Sequence, residues 1–523
     1  MTGISDIFRA PPRIAIHASV ALFLALLCVL PSPLARLLAP LERFVARVTS
    51  KRRCPQPALP DPRPTLALAR ATMAGACEVD KAGADSLAAE RIEDRALRWA
   101  VLLPITSRGS DGATCWPALR TMASTLISTI PPTKRALTRV HVAIDMKDVV
   151  NDTDEARVRI AALFAGLPVA FHVLPPAFTA KLCWIWEQLA LAAVAEAERA
   201  DLLVLLGDDV VMLDDDWQED VEASFARVAQ QTGLPFGVGC VAIRDVSFES
   251  FPMFPVVHRD HLQIFGGRLF LRELTNQHGD PYLFELYRRW GAARFTSRAR
   301  LVNGRGGSAA SRYEKASVAW RDVLLTRGIE TIERWLAERH GIDGRRVPCV
   351  DIIVPTYRCD EAALEAVCAL RGRASLHVLI VVDRPDASNL PAIKALGSHA
   401  PDHTVRVYVQ PTNMGASMAR NTGYAQSFGD HAIFLDDDVF PALDLVDAYL
   451  GAIARHPEAT LYVGLTALPE PTTWMQRALV ANGICFFYSI SEHTPHPPWG
   501  VCANLCVRSR TQGRVWFADC YPT

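Results

Sequence analysis

The sequence lacks an excess of charge of either sign. Its 523 residues include 55 Lys and Arg and 56 Asp and Glu, which gives a formal net charge of -1. Proteins that bind nucleic acid through its phosphates usually carry a basic excess, so we expect no nucleic-acid partner. With 50% hydrophobic residues, a chain of this length can bury two domain cores.

Cysteine pairs at metal-binding spacing are also missing. The 13 cysteines include no CxxC pair. The closest two, Cys502 and Cys506, have no second pair that would complete a zinc site. We therefore expect mostly buried thiols, with one or two disulfides if the chain is luminal.

Charge is absent between Arg13 and Arg36, where the sequence reads IAIHASVALFLALLCVL and then PSPLA. This run reaches the roughly 20 residues that a bilayer requires only if PSPLA is included. We expect a cytoplasmic tail and signal anchor over 1–35, with a cleaved signal peptide or a merely apolar leader as alternatives. The predicted location is a single-pass Golgi or other secretory-pathway membrane, and a glycosylation sequon at 151–153 is consistent with it.

Residues 36–96 contain the Pro-rich segment CPQPALPDPRP, which predicts a stem or linker. A first domain over 97–305 follows, where short apolar runs alternate with longer amphipathic ones. WAVLLPI, VHVAID, VAFHVL and DLLVLLGDD predict strands, while CWPALRTMASTLIST, EARVRIAALFAG and LCWIWEQLALAAVAEAE predict helices. Such alternation is typical of an α/β fold with a mostly parallel sheet.

The same order of elements returns after a linker over 306–346 that contains a predicted helix. In the second domain, 347–523, VDIIVPTY, LHVLIVVD, VRVYVQ and HAIFLDDD predict strands, and EAALEAVCALRG and ASMARNTGYAQS predict helices. Pro104 ends the first strand of one domain as Pro355 does in the other. The sequence thus predicts two related α/β domains in tandem.

Adjacent carboxylates follow a buried strand in each domain. The residues at these strand ends are Asp436, Asp437 and Asp438 in LDDDV, and Gly207, Asp208 and Asp209 in LGDDV. Neighbouring carboxylates repel one another and are costly to desolvate, so they predict a cation, or a polyphosphate held through one. Oxygen ligands of this kind suit Mg²⁺ or Mn²⁺.

The second domain resembles a family 2 glycosyltransferase of the Rossmann-like GT-A fold. The resemblance rests on IIVPTY, on IVVD ending at Asp383, on NMGASMARNTG and on LDDDV, in that order. The first domain is similar to a more divergent GT-A glycosyltransferase with GDD in place of DDD.

The family 2 resemblance implies a nucleotide-sugar donor and a glycan or glycoconjugate acceptor. It implies a divalent ion, Mn²⁺ or Mg²⁺, on Asp438, where a cation would stabilise the nucleoside diphosphate leaving group. The implied donor-binding residues are Pro355, Thr356, Tyr357, Asp383, Asn413, Arg420, Asn421, Asp436 and Asp437. For Asp383, Asn413, Arg420 and Asn421, roles in turns and at the start of a helix remain open.

The resemblance places the general base of the second domain just after segments like WGVCAN and FAD. The sequence stops at Thr523, where those next residues would begin, so we expect a fragment or an incomplete gene model. Asp519 is expected to be a turn residue.

In the first domain, Asp208 and Asp209 remain for the cation, with Asp209 the better candidate. Asp280 is a candidate catalytic base or, alternatively, a helix N-cap. His261 is a candidate contact for the acceptor or the metal, with a structural role as the alternative. Asp145 in VAIDMKD parallels Asp383.

Three functions remain open at this point. The first is a membrane-anchored enzyme with two sugar-transfer modules. The second is one active module beside a degenerate module that binds carbohydrate or supports the fold. A nucleotidyltransferase is disfavoured, because neither domain has a Gly-rich, Lys-containing loop after its first strand.

Overall fold

The computed structural model describes residues 96–107, 115–197, 199–247, 251–304, 318, 320, 323–344, 346–396, 404–483, 485–497, 499–509 and 517. The predicted signal anchor, all but the last residue of the predicted stem, and Asp519 lie outside these residues. Within them, no helix combines the length and apolar character needed to cross a membrane. Both sheets described below belong to one compact unit that begins at Ile92.

The predicted strands and helices are present, and further ones join them. The strands are β1 Trp99–Ile105, β2 Thr138–Asp145, β3 Val169–Leu174, β4 Leu202–Leu205, β5 Val210–Met212, β6 Cys240–Asp245, β7 Pro255–His258, β8 Ala293–Asn303, β9 Cys349–Thr356, β10 Ser375–Val382, β11 Thr404–Val409, β12 His431–Leu435, β13 Leu461–Val463 and β14 Asn504–Arg508. The helices are α1 Cys115–Thr129, α2 Pro132–Arg135, α3 Asp154–Leu163, α4 Leu182–Ala195, α5 Trp217–Thr232, α6 Asp260–Ile264, α7 Gly279–Arg288, α8 Val323–His340, α9 Glu361–Cys368, α10 Leu390–Ala395, α11 Ala416–Ala425, α12 Leu445–Arg455, α13 Trp474–Ala481 and α14 Ile490–His493.

The two sheets share one strand order over six positions. The first sheet runs β3-β2-β1-β4-β7-β6-β8-β5, and the second runs β11-β10-β9-β12-β14-β13. In each, the first four strands are parallel, and the next two pair antiparallel. The internal repeat seen in the sequence therefore extends to topology.

Both sheets are mixed, with parallel pairs in the majority: four of the seven described pairs in the first sheet and three of the five in the second. Beyond the strand that carries the carboxylates, β7 and β14 return antiparallel. In the first sheet β5 also pairs antiparallel with β8. Parallel strands need long crossover connections, whereas antiparallel strands can be joined by short ones, as β6, which ends at Asp245, and β7, which begins at Pro255, are.

The burial of the central strand β9 explains why the sequence predicts it from a run of apolar residues. All eight of its residues are buried, as expected for a parallel strand covered on both faces. Such a strand reads as a continuous apolar run, and the chain turns polar where the strand reaches the edge of the sheet.

Arg288, the last residue of α7, and Arg289, which follows it, connect the first domain to the second. Arg288 Nη2 lies 2.7 Å from Asp351 Oδ1 and donates to the Ser375 carbonyl at 2.9 Å. Arg289 donates to the Phe428 carbonyl at 2.7 Å. Burial would raise the pKa of Asp351, but the charge of Arg288 outweighs it and holds that pKa below its usual range. The contact is thus a buried ion pair with satisfied hydrogen bonds.

Candidate functional site

The carboxyl ends of β9, β10 and β12 meet at one edge of the second sheet. Because these strands are parallel, Thr356 at the end of β9 lies beside Asp383 and the three aspartates that follow β10 and β12. Ligands of open α/β sheets bind at this edge. The structure therefore brings the predicted donor-side residues together.

Asp437 links two loops of this edge. Its Oδ2 accepts hydrogen bonds from the Thr356 hydroxyl at 2.8 Å and from the N–H groups of Tyr357 and Arg358 at 3.2 Å each. The carboxylate thus fixes the chain after β9 against the chain after β12. Direct contact between Asp437 and a donor stays a prediction.

Each of the other two aspartates faces an arginine. Asp436 pairs with Arg420 of α11, and Asp438 Oδ2 lies 2.7 Å from Arg358 Nη1. The Asp438 side chain is 49% exposed. Arg420 Nε is buried and has no hydrogen-bond partner among the described residues. A buried donor without a partner costs free energy, so this side of the site favours an anion.

Asp383 organises the loop that precedes α11. Its two oxygens accept hydrogen bonds from the N–H groups of Met414 at 2.8 Å and Gly415 at 2.7 Å. Asn413 Oδ1 also accepts from the Gly415 N–H, at 3.1 Å. Gly415 has φ 85, a left-handed conformation that favours glycine. Asp383 is therefore more than a turn residue before Pro385, and its contact with a donor stays a prediction.

The remaining candidates of the second domain differ in accessibility. Tyr357 is 53% exposed, with Arg384 5.7 Å from its ring centroid, so its ring is open to a planar ligand. Pro355 is buried within β9. Asn421 is buried, and its amide exchanges two hydrogen bonds of 2.9 Å with the backbone of Phe517. Asn421 thus fixes the chain at Phe517 to α11, and its contact with a donor stays a prediction.

Three residues near the carboxylates escaped the sequence reasoning. Arg358 directly follows the predicted Thr356 and Tyr357, and that position was its only signal. Tyr488 ends a short 3-10 helix, Phe486–Tyr488, and Cys502 lies in a later turn beside Arg420 and Asp436, and no local pattern ties either residue to this edge. Burial raises the pKa of Tyr488, and the charges of Asp436 and Asp438 raise it further.

The first domain presents a similar edge, with a glycine in place of one aspartate. Asp208 is only 4% exposed. A Cβ at Gly207 would lie 3.0 Å from Asp209 Oδ1 and 3.5 Å from the Phe254 ring. A side chain at Gly207 would therefore contact both residues, and the Asp209 carboxylate would have to shift slightly to make room. Asp209 is tied through its carbonyl to the Gly304 N–H at 3.2 Å.

Asp145 occupies the position that corresponds to Asp383. It accepts hydrogen bonds from the hydroxyls of Thr106 at 3.2 Å and Thr179 at 3.4 Å. These contacts join the chain after β1 to the chain after β3. The parallel drawn from the sequence is confirmed in position, while a donor contact of Asp145 stays a prediction.

Asp280 lies in the first turn of α7. Phe254 connects it to Gly207, the first residue of the GDD motif. Its Oδ1 accepts a hydrogen bond from the Phe254 N–H at 3.2 Å, and the ring of the same phenylalanine packs near Gly207. The residue as a whole is half-buried. Burial of the carboxyl group raises the pKa of Asp280 to about 7, against the hydrogen bond from Phe254. It is not the N-cap, because the cap position is His278.

The prediction that His261 contacts the acceptor or a metal is wrong. It is 1% exposed, its Nδ1 lies 2.8 Å from the Tyr287 hydroxyl, and its Nε2 lies 2.9 Å from the Leu269 carbonyl. Burial lowers its pKa to about 4. Since protein groups engage both ring nitrogens, neither is left for a metal or an acceptor, and the structural alternative applies.

The asparagine of the glycosylation sequon at 151–153 is buried in the structure. Asn151 is 3% exposed and donates through Nδ2 to Asp148 Oδ2 at 3.1 Å. Thr153 caps α3 by accepting the Ala156 N–H. An amide buried in this way is not accessible for glycan attachment, so the sequon gives no support to the secretory route.

The cysteine expectation is confirmed for the described residues. Eight described cysteines are free thiols, and five of these are buried. None of the eight forms a disulfide.

The described residues contain no group of three or more His, Cys, Asp or Glu side chains arranged to hold a metal ion. Magnesium sites often use only one or two carboxylates, with substrate phosphates and water as further ligands. Asp438 and Asp436 in the second domain, and Asp209 and Asp208 in the first, fit that kind of site. A divalent ion there would supply positive charge for the leaving diphosphate.

Residues 351–505, which include this edge of the second sheet, match the model of the family described as glycosyl transferase family 2. Among curated relatives, an N-acetylglucosaminyltransferase of Sinorhizobium fredii is 29% identical over 233 residues, 43% of this chain and 55% of its own. An uncharacterized glycosyltransferase of Haemophilus influenzae is 29% identical over 112 residues, 21% of this chain and 44% of its own. The chain spans about half the length of the curated relatives it matches.

Among solved structures, S. aureus TarS 1-349 in complex with UDP is 12% identical over 47% of this chain and 72% of its own, with a TM-score of 0.27. The mannosyltransferase PcManGT from Pyrobaculum calidifontis in complex with GDP-Man and Mn2+ is 18% identical over 31% of this chain and 45% of its own, with a TM-score of 0.25.

Proposed function

We propose that this chain is a glycosyltransferase that moves a sugar from a nucleotide-sugar donor to a glycan or glycoconjugate acceptor. One observation carries the proposal: the segment that matches glycosyl transferase family 2 is also the segment whose strand ends gather Asp383, Asp436 and Asp438. Fold alone does not define activity, but a family match and a convergent polar edge in one segment support it together.

The second domain supplies groups for each part of a donor. The open ring of Tyr357 suits the base, and the partnerless Arg420 Nε suits a phosphate oxygen. Asp438 and Asp436 would hold Mn²⁺ or Mg²⁺, which supplies charge stabilisation for the departing diphosphate. Asp383 fixes the loop beside them.

The first domain is proposed as a second, divergent transfer module. The shared strand order supports this assignment, and so does Asp280, whose pKa of about 7 suits a general base for an acceptor hydroxyl. With Asp280, the first domain holds a candidate base among its described residues.

An alternative is that only one module transfers sugar while the other binds carbohydrate. The glycine at position 207, where the second domain has Asp436, favours the first domain as the degenerate one. A nucleotidyltransferase is the less favoured third possibility, since the matched family transfers glycosyl groups.

The test is hydrolysis of a panel of nucleotide sugars, beginning with an N-acetylglucosamine donor because two relatives carry that name. We expect Asp438→Ala and Asp209→Ala each to remove one part of the turnover. Turnover that survives both changes together would refute the enzyme proposal. Loss with only one change would favour a single active module. Asp154→Ala, which alters a 92% exposed side chain, is the matched control.

The proposed location remains a Golgi or other secretory-pathway membrane, with the chain anchored through residues 1–35. Its support is the uncharged run before Arg36, and expression of the whole chain with a fractionation of membranes would test it. Recovery in the soluble fraction would contradict it.

A further inference from the structure

Arg358 stands at the donor edge of the second sheet, two residues after the end of β9. Its backbone N–H is fixed 3.2 Å from Asp437 Oδ2. Its guanidinium reaches Asp438, where Nη1 lies 2.7 Å from Oδ2, and the two side chains are 63% and 49% exposed. The backbone of Arg358 is therefore anchored while its side chain extends through solvent.

The charge on Arg358 is balanced by the aspartate cluster. The hydrogen bond to Asp438 raises the pKa of the guanidinium, and the charges of Asp438, Asp437 and Asp436 raise it further. Asp436 also faces Arg420 from α11. In this arrangement Arg358 neutralises the carboxylate that is the main candidate ligand for a divalent ion.

We propose that Arg358 exchanges partners when the donor binds. It neutralises Asp438 while no divalent cation is present, and it turns to the diphosphate of the nucleotide sugar when a cation takes Asp438. This proposal rests on the proposed function and adds a phosphate-positioning residue to it.

Physical chemistry supports each half of the exchange. Exposed ion pairs are weak, so a divalent cation can displace the guanidinium from Asp438. Guanidinium groups match phosphate oxygens in a bidentate geometry that an ammonium lacks. Because the backbone of Arg358 stays tied to Asp437, the side chain can change partners without a rearrangement of the loop.

The test is calorimetry of the full chain carrying Asp209→Ala, which removes the stronger metal candidate of the first domain. With Mn²⁺ alone, Arg358→Ala should bind the ion about two- to fivefold more tightly, because its competitor is gone. With UDP or GDP added in the presence of Mn²⁺, the same variant should bind the nucleotide at least about tenfold more weakly. For both ligands, the affinity of Arg358→Lys should lie between that of the chain with Arg358 and that of Arg358→Ala.

Arg373→Ala is the matched control. Arg373 forms an exposed pair with Asp447, 3.6 Å apart, and it precedes β10, at the opposite edge of the sheet. It should change neither the affinity for Mn²⁺ nor that for the nucleotides. Equal melting temperatures of Arg358→Ala, Arg358→Lys and the parent chain would show that the fold is intact.

The outcomes separate this inference from the proposed function. If Asp438→Ala loses Mn²⁺ binding but Arg358→Ala leaves the affinity for Mn²⁺ or for the nucleotides unchanged, the exchange is refuted and the donor site stands. If the parent chain binds neither Mn²⁺, UDP nor GDP, the donor site itself is refuted, and the exchange with it.

Discussion

Asp280 combines partial solvent exposure with a carboxyl group that protein surrounds. Its pKa of about 7 results from burial, and the hydrogen bond from Phe254 opposes the shift. The thiols of Cys183 and Cys240 face it from α4 and β6. Burial, and then the charge of Asp280, raise their pKa values, so they stay neutral near pH 7. Of these three groups, Asp280 is therefore the one that titrates in this range.

We expect sugar transfer by the first domain to increase as pH rises through about 7, because only ionised Asp280 accepts the acceptor's proton. Asp280→Asn should remove this dependence and lower kcat/KM about 100-fold or more. The measurement is the pH profile of kcat/KM with Asp438→Ala as background. The same rise in Asp280→Asn would contradict the role of base.

The raised pKa of Asp280 also predicts a stability effect. Between its ordinary value of 3.8 and about 7, the folded chain holds a proton that the unfolded chain releases. Stability should therefore fall as pH rises through this window. Asp280→Asn should melt at a higher temperature than the parent chain at pH 8, with a smaller difference at pH 5. Equal melting temperatures at both pH values would contradict the shift.

The sequence predicts where the site residues lie in the fold better than it predicts which residues they contact. Asp383 and Asp438 each follow an apolar run, and strands that are parallel bring such ends together. Their partners come from loops: Gly415 meets Asp383 only because its φ is 85, and Arg358 meets Asp438 through a flexible side chain. His261 was misjudged because burial, not residue type, decides what a histidine contacts.

At the scale of elements, the loop before α11 depends on Asp383. Asp383→Ala leaves the N–H groups of Met414 and Gly415 without their acceptor, so we expect a loss of about 1–3 kcal/mol in the free energy of unfolding. The measurement is urea denaturation. Asp386→Ala, at an 83% exposed side chain, is the control and should change little. An unchanged midpoint in Asp383→Ala would contradict this account.

Strands such as β9 are predictable because burial on both faces leaves an uninterrupted apolar run. The pairing of β5 with β8 is not, because β5 is three residues long and its partner lies far along the chain. The antiparallel strands β7 and β14 were not predicted either. Their pairing depends on contacts between distant segments, and no local sequence pattern indicates those contacts.

At the scale of the whole molecule, the pair Arg288 and Asp351 joins the domains that the sequence separates. Arg288→Met would leave Asp351 charged and buried without its partner, so we expect a loss of about 3–5 kcal/mol. The double change with Asp351→Asn should lose less. The two unfolding curves provide the comparison. Equal losses in the single and double variants would show that no unpaired charge is responsible.

The contact between Arg288 and Asp351 also explains why the sequence predicts two domains in tandem but not how they meet. Repeated motifs predict two domains, but nothing in the sequence signals that Arg288 and Arg289, at the end of a helix, meet the strand that carries Asp351. Each domain expressed alone would expose these buried charges and their apolar surroundings, so we expect poor solubility of the separate fragments.

The central claim is that the carboxyl edge of the second sheet binds a nucleotide-sugar donor. Calorimetric titration of the full chain with nucleotide sugars, with and without Mn²⁺, tests it most directly. We expect at least one donor to bind in a Mn²⁺-dependent manner, and the combined change Asp436→Ala and Asp438→Ala to remove that binding while Asp154→Ala preserves it. Binding of no donor, or binding that survives the combined change, would contradict the claim.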